Sequence, residues 1–229
     1  VDGRGFMTGF GTQTAAVGVG GAPSFVNSSE SYNGSSWSEG PNMNNTRGNA
    51  MAGGSQTAGL VFGGYDGSSM DNTETYNGSS YSNVNYMNTA RRGSGGCGTQ
   101  TAALCAGGYA TNFTAVVEEY NGSTWSEVTN IPLARNTFRC VGTQTAALGS
   151  SGYLPGPQGG PGNLPTNSIT YDGTTWSTNP SLATGNNRGG QAGTTTASFV
   201  TGGSLGSGTT TENFDVGTET ITASTLTTS

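Results

Sequence analysis

The chain of 229 residues contains no histidine and no lysine, three cysteines, and only 9% charged residues, which sum to a net charge of −6. Each shortage excludes a class of function. Without histidine there is no Ser-His-Asp or Cys-His triad and no His-ligated zinc or copper; without lysine there is no Schiff-base or P-loop chemistry. The basic residues are seven scattered arginines against thirteen carboxylates, so no basic footprint for a nucleic-acid backbone or an anionic membrane surface exists. No apolar run approaches the ~18 residues of a membrane-spanning helix. Hydrophobic residues are only 31%, while glycine supplies 41 positions among abundant Ser, Thr and Asn, a composition that disfavours helix throughout. Cys97, Cys105 and Cys140 fit neither a zinc spacing nor a disulfide framework. They read as small buried apolar residues, with a Cys97–Cys105 bond as the alternative. The chain begins at Val1 and shows no signal peptide, which reads as a processed or excised segment, and targeting names no compartment.

What the sequence does have is self-similarity, the signature to look for first. Gly11-Thr12-Gln13-Thr14-Ala15 recurs at Gly54, Gly98, Gly142 and, as Gly193-Thr194-Thr195-Thr196-Ala197, at Gly193, in steps of 43, 44, 44 and 51. Tyr32-Asn33-Gly34 recurs at Tyr76, Tyr120, Tyr171 (with Asp172) and Phe214, in steps of 44, 44, 51 and 43. Within a unit the order is Arg, the GTQT turn, an apolar run ending in Gly-Gly, a variable stretch, Glu-x-Tyr-Asn-Gly, and an aromatic five residues after the Tyr: Trp37, Tyr81, Trp125 and Trp176. Four short runs per ~44 residues, divided by turn signals, predict a four-stranded propeller blade. The expected fold is all-β, a five-bladed β-propeller filling residues 1–229 as a single domain, with repeats at about 4–46, 47–90, 91–134, 135–184 and 185–229.

Arg, apolar strand, Gly-Gly, Glu-x-Tyr-[Asn/Asp] and Trp, in that order, resemble the kelch repeat, whose units are four-stranded blades. The resemblance covers residues 4 to about 225, with Ser151-Gly152 replacing Gly-Gly in unit four and no Trp in unit five, where Ile221 is nearest. The lysine-poor, Asn/Thr/Gly-rich GTQTAA version of the repeat is similar to segments of structural proteins of marine tailed bacteriophages. That likeness implies a virion, hence extracellular, location, with a secreted or cell-surface adhesin as the alternative.

The repeated residues read first as scaffold. Arg4, Arg47, Arg91, Arg135 and Arg188 are expected to pair with Glu30, Glu74, Glu118 and Glu212, leaving out unit four, where Ile169 stands in the Glu position. The aromatics after the Asn-Gly turn read as plugs between blades, the Gly-Gly pairs as strand ends at positive φ or in close approach, and Asn-Gly as a type I′ turn with both central residues at positive φ.

Strand alternation puts the repeated turns on one face and the variable 2–3 loops on the other: residues 22–29, 65–72, 109–115, 153–167 and 204–210. Variable loops on a rigid repeat scaffold are where binding resides. Tyr65, Tyr109 and Tyr153 follow the Gly-Gly position in three successive units, with Phe25, Phe113, Asp66 and Asn112 in the same loops. Two readings stand side by side: an aromatic arc that stacks on a neutral glycan, or rings that pack each strand exit against the next blade. Asp66 with Asp71 is the one carboxylate pair in a variable loop, and both read as turn formers rather than glycosidase groups. No catalytic residue, metal site or cofactor is expected. The expected partners are a host-surface glycan or receptor and other virion proteins, without nucleic acid or membrane insertion, and the expected role is non-enzymatic adhesion at a tail fibre or architectural joining of virion subunits.

Overall fold

A computed structural model of the chain describes residues 3–155, 164–203, 210–215 and 220–225. It contains five four-stranded antiparallel sheets, each built from four consecutive strands. Blade one is β1 (Thr8–Thr12), β2 (Ala15–Val19), β3 (Ser29–Tyr32) and β4 (Trp37–Glu39); blade two is β5 (Met51–Ser55), β6 (Ala58–Phe62), β7 (Thr73–Tyr76) and β8 (Tyr81–Val84). Blade three is β9 (Gly95–Gly98), β10 (Ala103–Ala106), β11 (Val117–Tyr120) and β12 (Trp125–Val128); blade four is β13 (Arg139–Thr143), β14 (Ala146–Ser150), β15 (Ser168–Tyr171) and β16 (Trp176–Asn179). Blade five is β17 (Gly190–Gly193), β18 (Ala197–Thr201), β19 (Thr210–Asp215) and β20 (Thr220–Thr225), and no helix occurs among the described residues. The first strand of each blade packs beside that of the next, β1 to β5 to β9 to β13 to β17, which makes the fold a five-bladed β-propeller. Among the described residues each sheet is made of four strands consecutive in the chain, with none taken from another blade.

The spacing of five between Tyr and the next aromatic has a direct cause. Tyr32 faces Trp37, Tyr76 faces Tyr81, Tyr120 faces Trp125 and Tyr171 faces Trp176 across the third and fourth strands. The ring centroids of these pairs lie 4.6–5.1 Å apart, a range favourable for offset ring contact. The turn between them is not type I′. Gly34, Gly78, Gly122 and Gly173 carry φ of 90–95°, while the preceding Asn or Asp is not at positive φ. The side chain of that Asn or Asp is used instead: Asn77 Oδ1 accepts the amides of Ser79 and Ser80, both at 2.9 Å. Asp172 does the same for Thr174 and Thr175, and these hydrogen bonds hold its carboxyl well below the usual carboxylate range.

Apolar side chains fill the seams between blades, not the blade interiors. One cluster joins Phe10 and Val17 of blade one to Val61, Tyr76 and Tyr81 of blade two. A second joins Leu60 and Phe62 to Cys105, Tyr120 and Trp125; a third joins Cys97 and Leu104 to Phe138, Ile169 and Tyr171. Cys97 and Cys105 belong to different seams because Leu104 is the register partner of Cys97 and successive residues of a strand point to opposite faces. All three thiols are therefore free and buried, and burial pushes Cys97 up to about 12 and raises Cys105 and Cys140 as well.

The expected Arg–Glu pairs form in blades one to three, Arg4–Glu30 at 2.8 Å, Arg47–Glu74 at 2.6 Å and Arg91–Glu118 at 3.0 Å. Blade five departs from expectation. Arg188 does not occupy the recurrent Arg position; Asn186 does, seven residues before the turn glycine, and its amide donates to the carbonyl of Gly202 as Arg47 donates to that of Gly63. Arg188 stands five residues before the turn glycine, against seven for the arginines of blades one to four. Glu212 consequently has no arginine and accepts the backbone amides of Ala183 and Thr184, beside a cavity of about 10 Å³ lined by Asn186, Val200 and Gly202. Asn186 Oδ1 is buried without a hydrogen-bond partner. Asn186→Arg is expected to restore the missing ion pair and raise unfolding stability by about 1–2 kcal/mol. A urea midpoint unchanged or lowered in that variant would count against this account of blade five.

Candidate functional site

The site is built on the ends of the second strands. In each of blades one to four the glycine two residues past that strand, Gly21, Gly64, Gly108 and Gly152, has φ of 104–118°. Its amide donates at 2.7–3.0 Å to the carbonyl of the next blade's Arg-position residue. The exit of one blade is thereby stitched to the entry of the next, and the loop that follows is delivered to the variable face.

There the candidate residues of three blades meet. Phe25 packs edge-on against Tyr65 at 5.3 Å between ring centroids, and Tyr109 against Phe113 at 5.8 Å. The guanidinium of Arg92 lies between the two tyrosines, 4.1 Å from the Tyr65 ring and 4.7 Å from that of Tyr109. A string Phe25–Tyr65–Arg92–Tyr109–Phe113 thus crosses blades one, two and three. All five are half-buried or, for Arg92, held by the rings on both sides, a geometry that both packs the loops and leaves ring edges at the surface. Ser69 Oγ adds a hydrogen bond to the carbonyl of Tyr109 at 3.2 Å. Arg92 was not among the residues singled out from the sequence, because it does not recur in the repeat; its place directly after the recurrent Arg91 is the only signal it gives.

The remaining candidates stand apart from this string. Tyr153 repeats the Tyr65 position in blade four and is paired through its backbone with Asn136, at 2.7 and 3.0 Å. Asp66 is exposed and its carboxylate accepts from Ser68, and exposed Asn112 gives its carbonyl to the amide of Ala110. Both are turn contacts. Asp71 gives its carbonyl to the Met87 amide. The middle of the long loop, residues 156–163, and residues 204–209 of the fifth variable loop lie outside the described residues.

The recurrent Gln of the turn, read from the sequence only as part of a turn signal, has a defined task. Gln56 Nε2 donates to the carbonyls of Ala16 and Tyr32 in blade one, Gln100 to Gly59 and Tyr76 in blade two, and Gln144 to Ala103 and Tyr120 in blade three. Each Gln latches its blade onto the preceding one. Thr195 replaces it in blade five, and Gln13 of blade one is exposed.

Inside the ring of first strands lies a cavity of about 690 Å³, within the size range of small-molecule sites. The turn glycines Gly11, Gly54, Gly98, Gly142 and Gly193 line one end, and Phe6, Asn49, Gly93, Thr137 and Arg188 line the other, the end shared with the variable loops. Among the described residues no group of three or more Cys, Asp or Glu gathers in a way that could hold a metal ion. Compared with known proteins, the chain matches no protein-family model and no curated protein.

Proposed function

We propose that this propeller is a non-enzymatic adhesion module of the kelch-like type, carried on a virion appendage and contacting a host-surface glycan or protein through its variable-loop face. The observation that supports this most is the division of labour between the two faces. One face consists of near-identical GTQT and YNGS turns, and the Gln of the first kind ties blades two, three and four each to the blade before. The other carries loops of differing sequence whose aromatic residues gather with Arg92 into one string across three blades. Aromatic and guanidinium groups presented by a rigid repeat scaffold are suited to stacking on a sugar face or anchoring a protein partner.

A second reading, architectural attachment to other virion subunits, is favoured by two exposed core-type side chains at the blade one and blade five edges, Trp37 at 45% and Phe199 at 42% exposure. Apolar groups of this size on a surface mark contact sites.

The deciding experiment probes the purified domain on a glycan array and on intact host cells, beside a Tyr65→Ala/Tyr109→Ala variant whose folding is checked by circular dichroism. Binding by the parent and its loss in the folded variant is the expected result. Absence of binding to glycans and cells alike would reject adhesion in favour of the architectural role.

A further inference from the structure

The second residue before each first strand follows a pattern that the repeat consensus conceals. Phe6, Asn49, Gly93, Thr137 and Arg188 all stand two residues after the recurrent Arg or its Asn186 counterpart, and all have φ between 52° and 61°. Backbone hydrogen bonds link this collar from blade to blade: the Asn49 amide donates to Phe6, Gly93 to Asn49, and Phe138 to Gly93, at 2.9–3.2 Å. The left-handed conformation suits glycine and is tolerated by asparagine, but it strains a phenylalanine, an arginine and above all a β-branched threonine. Only blade three uses glycine, and there the side chain of Asn136 fills the space a Cβ would need. Elsewhere the repeat holds large and chemically different side chains at its most strained backbone position, around the mouth of the central cavity. Strain kept where glycine would relieve it points to a use for the side chains.

The charge of the cavity points the same way. The molecule is acidic overall, yet among the described residues no carboxylate lines this cavity, and the charged residues lining it are two arginines, Arg139 and Arg188. Neither belongs to an ion pair among the described residues. Arg139 bonds the carbonyl of Gly189 through Nε at 3.0 Å, which leaves its two terminal nitrogens uncommitted. Arg188 is exposed at the mouth, with its guanidinium 5.7 Å from the centre of the Phe6 ring. Phe6 is itself 48% exposed, and Asn49 lines the same opening. A planar cation that grips a carboxylate and an exposed aromatic ring border a space large enough for a monosaccharide.

We infer that the collar and the cavity behind it bind a carboxylate-bearing sugar of the hexuronate class, the carboxylate at Arg188 and Arg139 and the apolar sugar face on Phe6. This site is separate from the loop string, and it stands whether or not that string contacts a host.

Titration of the intact domain with sodium glucuronate, followed by amide and arginine Nε–Hε NMR shifts, tests it, with glucose and sodium sulfate as the neutral and inorganic controls. Glucuronate is expected to shift Arg188, Arg139 and Phe6 signals and to bind at least tenfold more tightly than either control. Arg188→Gln, a change at an exposed position, is expected to weaken glucuronate at least tenfold with the spectrum otherwise intact. Phe6→Gly is expected to raise the thermal midpoint by relieving the strained φ while weakening glucuronate several-fold. Equal affinity for glucose, equal affinity for sulfate, no binding by the folded domain, or unchanged affinity in Arg188→Gln would each overturn the assignment. Adhesion by the loop string is read separately on the array, so either result can fail without the other.

Discussion

Arg47→Ala is expected to lower the unfolding free energy by about 3–5 kcal/mol, a large fraction of the roughly 5–15 kcal/mol that holds a typical domain together. The Arg47 and Glu74 side chains are both fully buried. The guanidinium donates to the carbonyls of Gly63 and Asn72 at 2.8 and 2.9 Å as well as to Glu74. Glu74 in turn accepts the amides of Asn44 and Asn45 from the incoming crossover. The pair is thus the knot where a blade's entry, the exit of its second strand and its third strand meet. Truncating Arg47 leaves two buried carbonyls and a carboxylate without their donor, and that desolvation sets the size of the loss. Blade five supplies an internal control, since Asn186 retains one of these bonds with a shorter side chain. Arg47→Asn is therefore expected to lose clearly less than Arg47→Ala. Urea unfolding of the two variants checks both statements, and equal losses would show that the carbonyl contacts contribute nothing.

Gly98→Ala is expected to destabilise by about 4 kcal/mol, the sum of a strained backbone and a displaced turn, each worth about 1–3 kcal/mol. Gly98 has φ of 110°, and a Cβ there would stand 2.2 Å from the carbonyl oxygen of Ala102. That neighbour is backbone, so no side chain can swing away. The same collision recurs at Gly11, Gly54, Gly142 and Gly193, at 2.2–2.3 Å, which is why glycine opens every copy of the turn. Thr99→Ala, one residue on and exposed only in its loss of a hydroxyl contact to the Ala102 amide, is the matched control and should change stability by less than about 1 kcal/mol. A thermal midpoint for Gly98→Ala close to that of Thr99→Ala would show that the turn relaxes freely.

Much of the fold was legible because its signals repeat. Glycine and Asn-Gly or Asp-Gly turns at a period near 44 predict the blades, and Tyr with an aromatic five residues on predicts the facing rings of the third and fourth strands. Where one copy diverged, residue type misled: Arg188, the one arginine ahead of the fifth turn, looks like the fifth recurrent arginine, whereas spacing and hydrogen bonding put Asn186 there. The Asn-Gly turn misled for another reason, because a side chain that accepts two amides and a backbone at positive φ favour the same residue. The candidate site was half legible. Tyr65 and Tyr109 could be placed on one face from strand alternation alone, but Arg92 between them is a non-repeating residue whose importance comes from folding two loops onto it. The collar was invisible for a stronger reason: its common property is a torsion angle, and its residues share no chemistry.

The glutamine latches give the disc a direction. Blades two, three and four each fasten backwards onto the blade before, while blade five carries Thr195 in that place and Gln13 of blade one faces solvent. The ring is therefore held like a clasped bracelet, with three locked links, one unlatched link between blades four and five, and an open catch between blades five and one. Trp37 and Phe199, the wedges that would fill the catch, stand exposed on its two sides. Opening of such an object starts at the catch and travels inward through blade five, so that blades two and three are the last to lose their protection. A propeller of this kind carries its own order of disassembly, written in which copies of a repeat have kept a single amide side chain.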